Sequence, residues 1–484
     1  MSYLLGIDEG TSAVKAVLYD EELRPVREAR RAKRMIHPQP GWIEQDAEDV
    51  LRAVVEVVAE VLHDAPGEVV ACGLDHQGES VLAWDGTTGR PLTNVVTWQD
   101  KRSQSVLDRL EAQADAVQAR SGLPLDPYFS AGKLAWLLEN DESVRSARAS
   151  GALRMGTVDA FLCARLGAGF STDPATASRT QLYVAGDDEW DDELCRHFGV
   201  PRDVLPEIRD TAGELGELRH EQWPVVLPLR ATTVDQQAAL AGAGCVEPGR
   251  VKATYGTGVF VVAHAGDRVP RGAGGLLPTV AWRIDGRTEY ALDGGVFAAG
   301  AMLEWLCESL GLAESPAALS RLAHTVDDAA GARVLPALAG LGAPWWQPDA
   351  RAVIAGLHAG VTRAHVARAA LEGIAWRVAD IVEVVREVVG VEELRVDGGL
   401  TNEPLMLELQ ADAIGAPVVA GGADATALGA ALLAGVGAGV FGSPVEAAKL
   451  LSFDRRFEPR VDEDRRGAGH GAWREFVRSA ARVG

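Results

Sequence analysis

The sequence predicts an α/β protein of two domains, residues 1–244 and 245–484. Three observations predict it. At 484 residues the chain exceeds the roughly 250–300 at which a single hydrophobic core stops growing. Short apolar, β-prone runs alternate with runs of helical spacing along most of its length. Each half also opens on the same unit: a strand, a glycine–threonine turn and a second strand.

The elements follow in order. Tyr3 to Ile7 is a buried-type strand, Asp8-Glu9-Gly10-Thr11-Ser12 is a turn, and Ala13 to Tyr19 resumes the strand. Val50 to Leu62 carries apolar residues at helical spacing, and Val69 to Leu74 makes another strand. Alternation continues to about residue 243. Ala241 to Gly249 is glycine-rich, ends in Pro-Gly, and reads as the domain junction. Arg250 to Thr254 and Val259 to Ala263 are strands flanking the turn Tyr255-Gly256-Thr257-Gly258. Leu394 to Val396 is a short strand ending at Asp397-Gly398-Gly399, and the charged tail beyond Phe457 reads as a peripheral helix.

Composition narrows the function classes. Apolar residues make up 47% and charged residues 24%, a soluble enzyme's balance. The N-terminus has no basic region ahead of a long apolar run, so it does not read as a secretory signal, and a cytoplasmic location is expected. A net charge of −22 repels phosphate backbones and anionic lipid, so neither nucleic acid nor membrane is an expected partner. A nucleotide is still compatible, because backbone N–H groups and a metal ion create local positive potential. The five cysteines (Cys72, Cys163, Cys195, Cys245, Cys307) are scattered and form no C-x-x-C pair. They are expected to be reduced and buried. Homo-oligomer formation is left open.

Four segments carry chemistry. In the first turn, Gly10 lets backbone N–H groups point into the hairpin mouth, where phosphate oxygens can bind. Asp8 at the strand end can hold a hydrated magnesium ion, and Thr11, Ser12 and Lys15 can add donors. The second turn, around Thr257, would face it across a cleft. Asp397-Gly398-Gly399 would let an adenine ring approach closely. Asp235-Gln236-Gln237 precedes an apolar helical run. Spacing alone leaves Asp235 either a helix cap or a general base accepting a hydroxyl proton.

Longer runs make a resemblance specific. Tyr128 to Asn140 (YFSAGKLAWLLEN), Ala352 to Leu357 and His365 to Glu372 resemble the characteristic runs of the FGGY family of carbohydrate kinases. Gly41 to Asp46, Gly156 to Asp159, Ser178-Arg179-Thr180, Trp190 to Asp192 and Leu341 to Trp346 resemble its glycerol kinase branch. The resemblance implies two actin-like, ribonuclease H-like domains closing on a central cleft, with ATP and Mg2+ as cofactors. It implies Asp8 near the metal and Thr11, Ser12 and Lys15 at the nucleotide phosphates. Thr257, Gly300 and Glu304 are implied on the nucleotide, with Gly399 and Asn402 bordering adenine. Asp235 is implied as catalytic base, with Glu79, Tyr128, Asp235 and Gln236 binding substrate hydroxyls and Trp98 and Phe260 walling the carbon skeleton. The expected activity is phosphorylation of a small polyol or sugar, with glycerol leading.

Two departures qualify that expectation. The branch carries Asn-Gln-Arg-Glu where this chain has His76-Gln77-Gly78-Glu79. The missing arginine normally donates to substrate hydroxyls, so the vacated volume would admit a longer polyol or ketose, a water, or another basic residue. Glu9 replaces the usual glutamine and adds charge near the phosphates, a minor change. An actin-like ATPase or a non-catalytic relative would not need Glu79, Trp98, Tyr128 and Asp235-Gln236 together.

Overall fold

A computed structural model describes residues 2–187, 189–270, 274–421 and 424–481. The chain begins with strands β1 (Ser2–Glu9), β2 (Ala13–Tyr19) and β3 (Pro25–Ala32), then helix α1 (Ala47–Leu62) and strand β4 (Glu68–His76). Asp46 starts α1 by accepting the Glu48 and Asp49 N–H groups, both at 2.9 Å. Val50, Val54, Val57, Val58 and Val61 form its buried face. Helix α2 (Ser130–Asn140), strands β5 (Ala212–Leu218) and β6 (Leu227–Val234), and helix α3 (Asp235–Gly242) follow in the first half, which also carries further helices and a separate four-stranded sheet.

The second half contains β7 (Arg250–Tyr255), β8 (Val259–Gly266), β9 (Leu277–Ile284), β10 (Arg287–Val296) and α4 (Gly300–Glu308). It continues with α5 (Arg363–Val389), β11 (Glu393–Asp397), β12 (Val418–Ala420), α6 (Ala425–Gly437), β13 (Arg455–Phe457) and α7 (Glu463–Ala480). The last helix is less peripheral than expected. Trp473, Phe476 and Val477 are buried, and Trp473 Nε1 and His470 Nε2 reach Asp380 on α5 at 3.1 and 2.9 Å.

The duplicated opening extends to the whole sheet. In the first half the order is β3-β2-β1-β4-β6, and in the second it is β10-β8-β7-β11-β12. In each repeat the first three strands are antiparallel and the last two run parallel to the first. The two repeats join in one 13-stranded sheet through β9 and β5, which meet at the pair Ala212–Ile284.

Helix α6 ties the halves together from the other side. It lies so close to β1, β4 and α3 that a Cβ would not fit at the crossings. A Cβ at Gly6 would stand 2.0 Å from the Ala427 carbonyl oxygen, and one at Gly73 2.0 Å from that of Ala430. One at Gly429 would stand 1.7 Å from the Ala238 carbonyl. Glycine is therefore required by packing at these points. The five cysteines are free and buried. Among the described residues, no helix is long and apolar enough to cross a membrane.

Candidate active site

The parallel strands of the first repeat end together, and three carboxylates gather at their C-terminal edge. Asp8 on β1 pairs in register with Asp75 on β4, and His76 pairs with Val234, the last residue of β6. Asp235 follows at once as the first residue of α3. Val234 occupies the cap position of α3, and the Asp235 carboxylate accepts from the Gln236 backbone N–H in its first turn. Burial, then Asp424 and Asp235, push the Asp8 carboxyl up to about 7. Burial, then Asp8 and Asp235, raise Asp75 well above the usual range. Both Asp75 oxygens are buried without a donor among the described residues, leaving only a proton shared with Asp8. Burial also raises Asp235, opposed by the nearby positive charge of Lys252 and by His76.

Such a set suits a hard cation. Magnesium takes oxygen ligands, commonly one or two carboxylates plus waters and phosphate oxygens. Among the described residues no three His, Cys, Asp or Glu side chains form a complete metal cage. An ion here would thus take Asp8 and Asp75 and draw its other ligands from water or a substrate.

The first turn is held from behind. Gln45 Nε2 donates to the Thr11 carbonyl at 2.6 Å, and Gln77 Nε2 donates to Gln45 Oε1 at 2.8 Å and to Glu9 Oε1 at 3.1 Å. Glu9 is fully buried and ion-paired with the equally buried Lys33. Its charge therefore points into the scaffold, not toward the phosphates as the sequence reading placed it. Thr11 Oγ1 accepts from Trp98 Nε1 at 2.9 Å, linking this turn to the aromatic wall. Ser12 is exposed beside it. Lys15 bonds Glu28 at 3.1 Å and Asp424 at 3.4 Å.

The next group sits alongside. The Trp98 and Tyr128 rings meet edge to face at 5.6 Å. Glu79 has a left-handed backbone (φ 58°), which a residue with a Cβ adopts only under constraint. Ser130 Oγ donates to its carbonyl at 3.2 Å. Its carboxylate accepts from Arg179 Nε at 2.7 Å, and Arg179 Nη2 reaches Asp293 Oδ2 on β10 at 2.9 Å. Gln236 Oε1 accepts from Lys252 Nζ on β7 at 3.0 Å. Phe260 on β8 pairs with Gly295, and a Cβ on that glycine would touch its ring at 3.4 Å. Residues of both halves therefore meet around Glu79 and Asp235.

At Gly78 even a first side-chain carbon would meet a neighbour. A Cβ there would lie 2.6 Å from Val234 Cγ2, the residue immediately before Asp235. A basic residue, Arg179, bonds the carboxylate of Glu79, the next residue along the chain.

The second turn is built like the first. The Thr257 carbonyl accepts from Ala299 and Ala301 N–H at 2.9 and 3.1 Å, seating the start of α4 on the turn. A Cβ at Gly300 would stand 2.5 Å from the Gly256 carbonyl. Thr257 and Glu304 are exposed. Thr254 pairs with Asp397, and Gly398 (φ 95°) packs on the Tyr255 carbonyl, where a Cβ would approach to 2.3 Å. Gly399 and Asn402 are exposed beyond it, with nothing within 4 Å of a Cβ on Gly399.

Sequence reasoning missed Asp75, Arg179, Lys252 and Asp293. Asp75 had a signal: it stands one residue before the end of β4, much as Asp397 ends β11, the corresponding strand of the second repeat.

The chain is similar to known proteins over nearly its whole length. The model of the FGGY family of carbohydrate kinases, N-terminal domain, matches residues 3–242. That of the family's C-terminal domain matches residues 251–438. A glycerol kinase of Geobacter sp. (strain M21) is 42% identical over 489 aligned residues, covering 99% of this chain and 98% of its own. Glycerol kinase 2 of Thermotoga maritima is 37% identical, with the same coverage of both chains. The crystal structure of Plasmodium falciparum glycerol kinase with ADP superposes with TM-score 0.93 at 30% identity, covering 99% and 98% of the two chains. A xylulose kinase of Brucella ovis has TM-score 0.90 at 24% identity over the full length of both chains, a likeness of fold.

Proposed function

The chain belongs to the FGGY family of carbohydrate kinases, and from that premise we propose that it transfers the γ-phosphoryl group of ATP to glycerol, giving glycerol 3-phosphate. The observation that carries this reading is the position of Asp235. It stands among the carboxylates of the first turn, yet Lys252 of the second half contacts its neighbour Gln236.

In the proposed reaction glycerol lies against Trp98 and Phe260, with Glu79, Tyr128 and Gln236 on its hydroxyls. Asp235 accepts the proton of the attacking hydroxyl as its oxygen bonds the γ-phosphorus. The bond from that phosphorus to the β,γ-bridging oxygen breaks, and ADP leaves. Burial raises the proton affinity of Asp235, which suits a base taking a proton from an alcohol. Thr11, Ser12 and Lys15 serve the phosphates, Thr257, Gly300 and Glu304 the nucleotide on the facing side, and Gly399 and Asn402 the adenine. Magnesium on Asp8 and Asp75 would neutralise phosphate charge. The two repeats are read as domains 1–244 and 245–484 that close on this cleft and exclude water. We read the enzyme as cytoplasmic.

Val234 supports the smaller substrate. Its methyl group stands where a Cβ at 78 would point, which narrows the space offered there to a four- or five-carbon polyol. The test is an ATP-coupled screen across glycerol, dihydroxyacetone, erythritol, ribitol, xylitol, xylulose and ribulose. Glycerol is expected to give the highest kcat/KM. A preference for ribitol or xylulose would reassign the substrate, and ATP hydrolysis indifferent to any acceptor would favour an ATPase.

A further inference from the structure

We propose that Arg179, together with Asp293, binds a substrate hydroxyl and determines polyol affinity in this enzyme. The inference rests on the proposed polyol kinase activity and assigns a donor and an acceptor to its site. Arg179 is buried, and its guanidinium is fixed on several sides. Nε donates to Glu79, Nη2 pairs with Asp293 Oδ2, and its carbon lies 5.9 Å from the Tyr128 ring centre and 5.5 Å from that of Phe129.

One donor atom is left over. Arg179 Nη1 is fully buried and has no hydrogen-bond partner among the described residues. Asp293 Oδ1 is likewise buried and unpartnered among them. Buried polar groups are nearly always satisfied, and an orphan is costly. Here a spare donor and a spare acceptor belong to two residues already bonded to one another. A hydroxyl both accepts and donates, so one alcohol group can satisfy both atoms at once.

The location favours a substrate group over a purely structural one. Arg179 bonds the carboxylate of Glu79, whose backbone is held in the left-handed region, and Gln181 two residues on is held there too (φ 66°). Asp293 comes from β10 in the second half, so a bound hydroxyl here would bridge both halves of the cleft. At position 78 no side chain is present, and a Cβ there would meet Val234. Arg179 is thus the guanidinium available beside Glu79.

The test compares wild type with Arg179→Gln, Arg179→Lys and Asp293→Asn. Kinetics with glycerol and ATP are paired with calorimetric titration of glycerol in the absence of nucleotide. Arg179→Gln is expected to raise the glycerol KM and Kd roughly ten- to a hundredfold, as for loss of a charged hydrogen bond. The KM for ATP should stay within about twofold. Arg179→Lys keeps the charge beside Glu79 but loses the planar fork, and is expected to weaken glycerol binding as well. Asp293→Asn should do the same. If Arg179→Gln does not fold, the other two variants decide. A glycerol KM and Kd like those of wild type in any folded Arg179 variant overturns the proposal, as does a loss confined to kcat. If wild type neither binds nor phosphorylates any polyol, the activity itself is wrong and this inference falls with it.

Discussion

Asp8 and Asp75 stand opposite each other on adjacent parallel strands, at the end of the sheet where Asp235 begins the next helix. Burial raises the proton affinity of both, and the charge of Asp8 raises that of Asp75 further. Thr254 and Asp397 keep the same relation in the second repeat. The first repeat therefore sets two carboxylates opposite each other where the second sets a threonine opposite one. Under the proposed activity, the doubled charge is where a metal-bound phosphate donor would sit.

The charge on Asp8 has a measurable cost. Its carboxyl titrates near 7 in the fold against 3.8 when unfolded, so the folded state holds the extra proton between those values. Stability should therefore fall as pH rises from about 4 through 7. Asp8→Asn removes this term. Without divalent metal, it is expected to raise Tm more at pH 8 than at pH 5, while turnover is lost. Melting curves at the two pH values check this, and an equal shift at both would contradict it.

Lys33 neutralises Glu9 inside the scaffold of the first turn. Lys33→Met leaves a buried carboxylate unpaired and is expected to cost about 3–5 kcal/mol. Adding Glu9→Gln should recover most of that loss, since Gln77 can still bond an amide there. Urea unfolding of the two single variants and the double variant measures the coupling.

Gly78→Arg is expected to impair the enzyme even though arginine is the residue usual at this position in the glycerol kinase branch. The new Cβ meets Val234 Cγ2 at 2.6 Å, and the resulting shift moves Asp235. Overpacking of this kind typically costs about 1–3 kcal/mol. Chemical denaturation and kcat/KM for glycerol test it, and improved turnover would show that the pocket lacks a guanidinium after all.

Gly429→Ala should be more severe. Its methyl carbon would stand 1.7 Å from the Ala238 carbonyl, so α6 must lift from α3. Because α6 also lies on β1 and β4, that movement would disturb the strand ends carrying Asp8 and Asp75. Loss of soluble protein, or a fall of at least about 3 kcal/mol, is expected from expression and unfolding measurements.

The legible parts of this molecule are the local ones. Strand, turn and strand around Gly10 and around Gly256 could be read because neighbouring residues form them. Tyr128 and Trp98 were found through longer runs whose likeness marks them out. Asp75 was missed because its importance arises only when β4 lies beside β1. Arg179 and Asp293 were missed because they meet across two halves of the chain. The surroundings of Gly78 were out of reach for the same reason. A missing side chain looks like empty space until Val234, far along the sequence, is packed against it. Glu9 likewise looked like a charge at the phosphates until Lys33 was found beneath it.

The account depends most on Asp235 acting as the base for a hydroxyl while both halves hold the nucleotide. The direct measurement is turnover of glycerol with Mg-ATP by wild type and Asp235→Asn, alongside nucleotide binding to each. Wild type is expected to form glycerol 3-phosphate and ADP in equal amounts. The variant should lose about 10²–10⁴-fold in kcat and bind ATP with near-wild-type affinity. Phosphorylation of glycerol by the variant at a rate near that of wild type would contradict the account.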